Sequence, residues 1–291
     1  MGKIKLCEPL QQRIFQQVDN GLSHPFLGFG IPSRPDVTVD MAVQFLTICD
    51  PFQLRLFAPL ILYGLRASEP CLIFREDLPE GWLHVLGHPE IGYDTKGLCD
   101  KRLPLIDPLP QLLQDSDHSP VSPLLFPRRA VWECKEIPLL GRYSFEELIA
   151  EYQLRIRKNR KGDSAFNDRI QRQIVQDAGG MEYDHVQGEF LRLTKQLNWP
   201  KKATLKDFRH LFSTSLENAG VPLFYRRYLM GQSPGKSAIV TYTHINELRQ
   251  QYQRAVNRSL RPICESVTKR MRELGLTGVC CEMPFTNSEH L

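Results

Sequence analysis

Within residues 204–244 the chain carries Lys206, Arg209, Gln232 and Tyr242 at intervals that repay attention. Lys206 and Arg209 lie three residues apart at the start of one apolar-periodic segment, Gln232 follows a second, and Tyr242 comes ten residues later. A phosphodiester under attack carries negative charge on its non-bridging oxygens, which planar guanidinium groups match through paired hydrogen bonds. A tyrosine phenol can act as nucleophile, dividing one hard step into two through a covalent ester. The chemistry these types would do is phosphoryl transfer on a nucleic-acid backbone.

Helices must position them. Phe208, Leu211, Phe212, Leu216 and Ala219 recur at steps of three and four, the period of a helix with one buried face, and Lys206 and Arg209 fall away from that stripe. Thr204 suits an N-cap, and Gly220 suits the position just past the helix end, where φ is positive. A second helix is expected over 223–230, carrying Arg226 and Arg227.

Residues 204–244 resemble the catalytic core of the tyrosine recombinases, the phage integrase family, in Phe208-Arg209-His210 and Tyr242-Thr243-His244. Upstream, Gly64-Leu65-Arg66-Ala67-Ser68-Glu69 resembles that family's first arginine box, and Thr95-Lys96-Gly97 before Lys101-Arg102-Leu103-Pro104-Leu105 its lysine hairpin. The resemblance implies Arg66 and Arg209 as clamps on the phosphate and Glu69 as support. It implies Lys96 as the proton donor to the leaving oxygen, with Lys101 the alternative, and Tyr242 as the nucleophile forming a 3′-phosphotyrosyl bond. Energy kept in that bond would make nucleotide, metal and other cofactors unnecessary. Lys206 replaces the first His of the family's His-x-x-Arg box, and Gln232 replaces its second His or Trp. Gln232 can donate a hydrogen bond to phosphate but cannot serve as acid or base near neutral pH. Tyr225 and Tyr228 are poorer nucleophiles because they sit inside a helical period, and His210 and His244 are expected to support packing.

The implied fold is α+β and mainly α-helical, with a small three-stranded antiparallel sheet over 82–86, 91–95 and 101–105. Residues 1–36 read as an extension and linker, shorter than the DNA-clasping domain that complete recombinases carry. Residues 37–250 read as the catalytic domain, and 251–291 as a C-terminal helix and tail. Further helices are expected between 37 and 69, over 144–154, 165–177 and 186–197, and over 246–274, the last interrupted near Pro262. That last helix either docks on a neighbouring protomer, as in the family, or packs on its own core. Arg128-Arg129 and the cluster Arg155, Arg157, Lys158, Arg160 and Lys161 are surface charge or contacts to DNA backbone.

A net charge of +4 permits a nucleic-acid partner without requiring one. Eight cysteines without C-x-x-C spacing, no secretory start and no run of about 18 apolar residues point to reduced thiols in a cytoplasmic protein away from membranes. The partners implied are double-stranded DNA and further copies of the chain assembled on it. The competing reading is a DNA-binding module without cleavage, either a decayed recombinase or a regulator using residues 208–231 as a helix-turn-helix.

Overall fold

A computed structural model describes residues 37–95, 100–114, 121–157, 164–232 and 245–276. All of them belong to one compact unit, Pro35–Leu291. The expected extension and linker over 1–36 and residues 277–291 of the expected tail lie outside the described residues, as do Lys158, Arg160 and Lys161.

Two helices begin the fold, α1 (Val39–Thr47) and α2 (Pro51–Leu62). Asp50 separates them: its carboxylate accepts from Gln53 N at 2.8 Å while the Gln53 side chain accepts from Asp50 N at 3.0 Å, with Pro51 in the first turn. Strands β1 (Trp82–Val85) and β2 (Lys101–Pro104) form an antiparallel pair, Trp82 opposite Pro104 and Val85 opposite Lys101. There follow α3 (Leu109–Leu113), α4 (Arg129–Trp132), α5 (Phe145–Ile156), α6 (Ser164–Asp177) and α7 (Tyr183–Gln196). The chain closes with α8 (Leu205–Asn218), α9 (Leu223–Leu229), α10 (Ile245–Ala255), a π turn over Val256–Leu260, and α11 (Arg261–Glu273). Among the described residues no helix is long and apolar enough to cross a membrane.

The molecule is mainly helical with a small antiparallel sheet, and that sheet has two strands where three were expected. Residues 89–91 coil into a 3-10 turn, and Tyr93 makes only an isolated bridge with His88. The buried His88 ring, packed at 5.0 Å against Phe74 and held at 3.2 Å by Asp77 Oδ2, draws this segment away from β1.

Aromatic packing sets the position of α8. Phe208 stacks edge-on with Phe45 of α1 at 5.1 Å and with Phe190 of α7 at 5.7 Å, all three fully buried. On α11, Ile263, Val267 and Met271 are fully buried, and the helix packs on α1 and α2 of its own chain. The intramolecular alternative therefore describes this helix. Its break falls as expected, with Pro262 in the first turn after the π turn.

Arg128 and Arg129 are engaged in folding contacts. Arg129 binds Asp50 at 2.8 Å, Glu133 at 3.1 Å and Glu189 at 2.8 Å, and covers the Phe52 ring at 4.6 Å. Arg128 pairs with Glu136, and Arg155 bridges Glu151 at 2.7 Å and Asp177 at 2.6 Å. Of the basic cluster's described members, Arg157 is exposed.

Candidate active site

The site grows from the ends of two helices, a strand end and the first turns of α8. Helix α2 terminates at Gly64, whose φ of +56° needs a residue without a Cβ. Space demands the same: a Cβ there would stand 2.5 Å from Phe212 Cδ1 on α8. This close approach brings the Gly64 carbonyl to Arg209, which donates Nη1 to it at 2.7 Å.

Helix α9 ends in a Schellman motif. Gly231 N donates to Tyr228 O at 2.8 Å and Gln232 N to Arg227 O at 2.9 Å, with Gly231 at φ +56°. Two neighbouring carbonyls remain as acceptors. Met230 O takes Arg209 Nη2, and Gly231 O takes Arg66 Nη2 at 3.2 Å. The two arginines, far apart in sequence, thus hang side by side from consecutive peptide groups. Both are half-buried.

Glu69 completes the arrangement. Its carboxylate accepts from Arg66 N at 2.9 Å and Arg66 Nη1 at 2.8 Å, and from Lys101 Nζ at 2.7 Å. Lys101 begins β2 and is fully buried. Burial disfavours the Glu69 carboxylate, but Lys101 and then Arg66 outweigh it and hold the group below the usual carboxylate range. Burial pushes Lys101 below the usual lysine value; Glu69 opposes that shift, and Arg209 and Arg66 add to it. Arg209 is lowered to about 10, first by burial and then by the positive charge of Arg66. Two guanidinium groups that repel each other in a half-buried corner are a ready receptor for an anion.

No protein-family model matches the chain, and no curated protein matches it. The site therefore stands on its own geometry.

Arg66, Glu69, Lys101 and Arg209 are brought together. Lys206 lies one turn before Arg209 on α8 with its side chain exposed, and Gln232 is exposed directly after the carbonyls that hold the arginines. Lys96 and Tyr242 lie outside the described residues, as does His244. His210, expected to support packing, is exposed: α8 turns it to the side of Lys206 and away from the Phe208 and Phe212 stripe.

Two tyrosines lie near the cluster, Tyr93 and Tyr228, the second of which the sequence offered only as a poorer nucleophile than Tyr242. Burial raises the Tyr93 phenol to about 12, with the negative charge of Glu69 next in weight. The Tyr228 hydroxyl accepts from Arg102 N at 3.3 Å and so ties α9 to β2. Neither contact carried a sequence signal, because each joins segments distant along the chain. Among the described residues no group of three or more His, Cys, Asp and Glu could hold a metal ion.

Proposed function

We propose that this chain breaks and rejoins double-stranded DNA as a tyrosine-type recombinase, with Tyr242 as nucleophile. Arg66 and Arg209 bind the non-bridging oxygens of the scissile phosphate, the charge that grows as the phenol attacks. A 5′-hydroxyl leaves, protonated by a lysine: Lys96, or Lys101, whose depressed ammonium loses its proton more readily than an ordinary lysine. Lys206 reaches the phosphate from one turn before Arg209, and Gln232 adds a neutral donor. Religation reverses the steps, and the phosphotyrosyl bond carries the energy between them. The reading extends to assemblies of several copies on DNA, in a reducing compartment such as the cytoplasm, and Cys49, Cys71, Cys134 and Cys264 are free thiols.

One observation carries this reading: Arg66 and Arg209 are anchored on the adjacent carbonyls of Gly231 and Met230. Glu69 balances Arg66, whereas the half-buried Arg209 has no ion-pair partner among the described residues and is the charge an anion would satisfy.

A second reading rests on Gln232. With an exposed amide where an acid or base would assist, the chain would bind DNA through the same arginines and leave it uncut.

A pool of nicked duplexes with randomised sequence separates the two. Cleavage beside a nick releases a short fragment and traps the phosphotyrosyl adduct, visible as a shifted band under denaturing electrophoresis. The recombinase reading expects an adduct that disappears in Tyr242→Phe and in Arg209→Gln. Retention of duplex with no adduct in any member of the pool leaves the binding module.

A further inference from the structure

The first half of the C-terminal helical run presents a face that the catalytic cluster does not use. Arg249, Gln250, Gln253, Arg254, Asn257 and Arg258 line a groove of about 500 Å³ that contains three guanidinium groups, three amides and no carboxylate. The groove runs across the junction of α10 with the π turn over Val256–Leu260. Such turns interrupt α-helices frequently at functional sites. Asn257 and Arg258, three and four residues after Arg254, share its side of the run.

The three arginines differ in how they are held. Arg249 is fixed: Nη2 donates to Gly81 O at 2.8 Å, and the guanidinium covers the Trp82 ring at 4.9 Å. Arg258 is exposed and donates one Nη1 bond, to Ala219 O at 3.3 Å. Arg254 is exposed and has no ion-pair partner among the described residues. Other cations of the same helical run are paired, Arg261 with Glu265 at 3.8 Å and Arg270 with Glu273 at 2.9 Å. Within the groove no carboxylate stands beside the three guanidinium groups.

We propose that the groove over α10 and the π turn is a second contact to duplex DNA, in which Arg254 and Arg258 bind backbone phosphates. Its place in the fold separates it from the catalytic cluster. Arg258 meets α8 at Ala219, ten residues after Arg209, about 15 Å along the helix axis. Arg249 likewise meets the chain at Leu105, just past the end of β2, with Lys101 at the other end of that strand. A duplex presents phosphate charge at about 1.7 Å intervals along its axis, so its backbone extends far enough to serve both places. The amides of Gln250 and Gln253 add neutral donors of the kind that commonly contact phosphate oxygens.

The choice of partner rests on the DNA reading of the cluster, whereas the measurement needs no cleavage. Fluorescence anisotropy of the whole chain with a labelled duplex of about 30 base pairs, from about 50 to 200 mM KCl, yields the slope of log affinity against log salt. Each phosphate contact contributes about 0.9 to that slope. Arg254→Gln should reduce it by about 1, and Arg254→Gln with Arg258→Gln by about 2. Arg66→Gln should lower it separately and additively. Arg254 makes no folding contact, so its single variant retains the native thermal transition and keeps the test clear of misfolding. An unchanged slope in both groove variants, with the wild-type chain binding duplex, overturns this inference alone. Absence of duplex binding by the wild-type chain overturns it together with the DNA reading. A reduced slope on single-stranded RNA but not on duplex would also reject it.

Discussion

Glu69 is the side chain on which the cluster's charges converge, and its titration should be visible in stability. Its folded carboxylate sits below the ordinary value of 4.5, because Lys101 and Arg66 outweigh the effect of burial. A depressed carboxylate pKa contributes stability that is complete above the unfolded value and is lost as pH falls through the folded one. Glu69→Gln should therefore cost about 3 kcal/mol near neutral pH, since it leaves Lys101 buried without its counter-charge. The gap from wild type should narrow below about pH 4. Urea unfolding across that pH range measures it, and a gap independent of pH would assign Glu69 no ionic role. Sequence spacing placed Glu69 beside Arg66, but not against Lys101. That contact depends on strand register, which a period-two pattern does not encode across a sheet edge.

Among the elements, helices were legible and the sheet only partly so. Helix α8 follows its apolar period, and Gly220 stands where a C′ glycine was expected, with Val221 N closing onto Leu216 O at 3.0 Å. Residues 91–95 looked like a strand because Ile91, Tyr93 and Thr95 alternate, yet the local turn and the His88–Asp77 contact prevail. The partners of Arg129 were not legible either, since carboxylates from Asp50 and Glu189 reach it from distant segments. The π turn left no periodic trace beyond Pro262, but it sets the rotation of everything after it. Inserting one alanine after Pro262, where the helix is regular, should rotate the rest of α11 by about 100°. Ile263, Val267 and Met271 would then leave the core, at about 1.5–3 kcal/mol for each side chain. Circular dichroism should show loss of the cooperative thermal transition in the insertion variant. A native-like transition would mean that α11 is not held in register by its buried face.

For the whole molecule, the cluster lies where the ends of α2, α9 and β2 meet α8, so no segment could assemble it alone. Sequence resemblance supplied Arg66 and Arg209 as partners; the carbonyls that hold them depend on φ-positive glycines at positions 64 and 231 and on the depth of Phe212. Packing two repelling guanidinium groups together costs stability that an anion between them would restore. A phosphate mimic should therefore raise the unfolding temperature, with a gain of about 2.7 kcal/mol at a hundredfold excess over its dissociation constant. Vanadate serves as the probe, used well below concentrations at which salts stabilise proteins by exclusion. The wild-type transition should rise with vanadate but not with chloride at equal ionic strength, and the rise should be lost in Arg66→Gln. Groove variants at Arg254 should retain it, because their groove lies at the far end of α8. An equal rise in Arg66→Gln would locate the bound anion elsewhere and remove the physical basis for treating the paired arginines as a phosphate receptor.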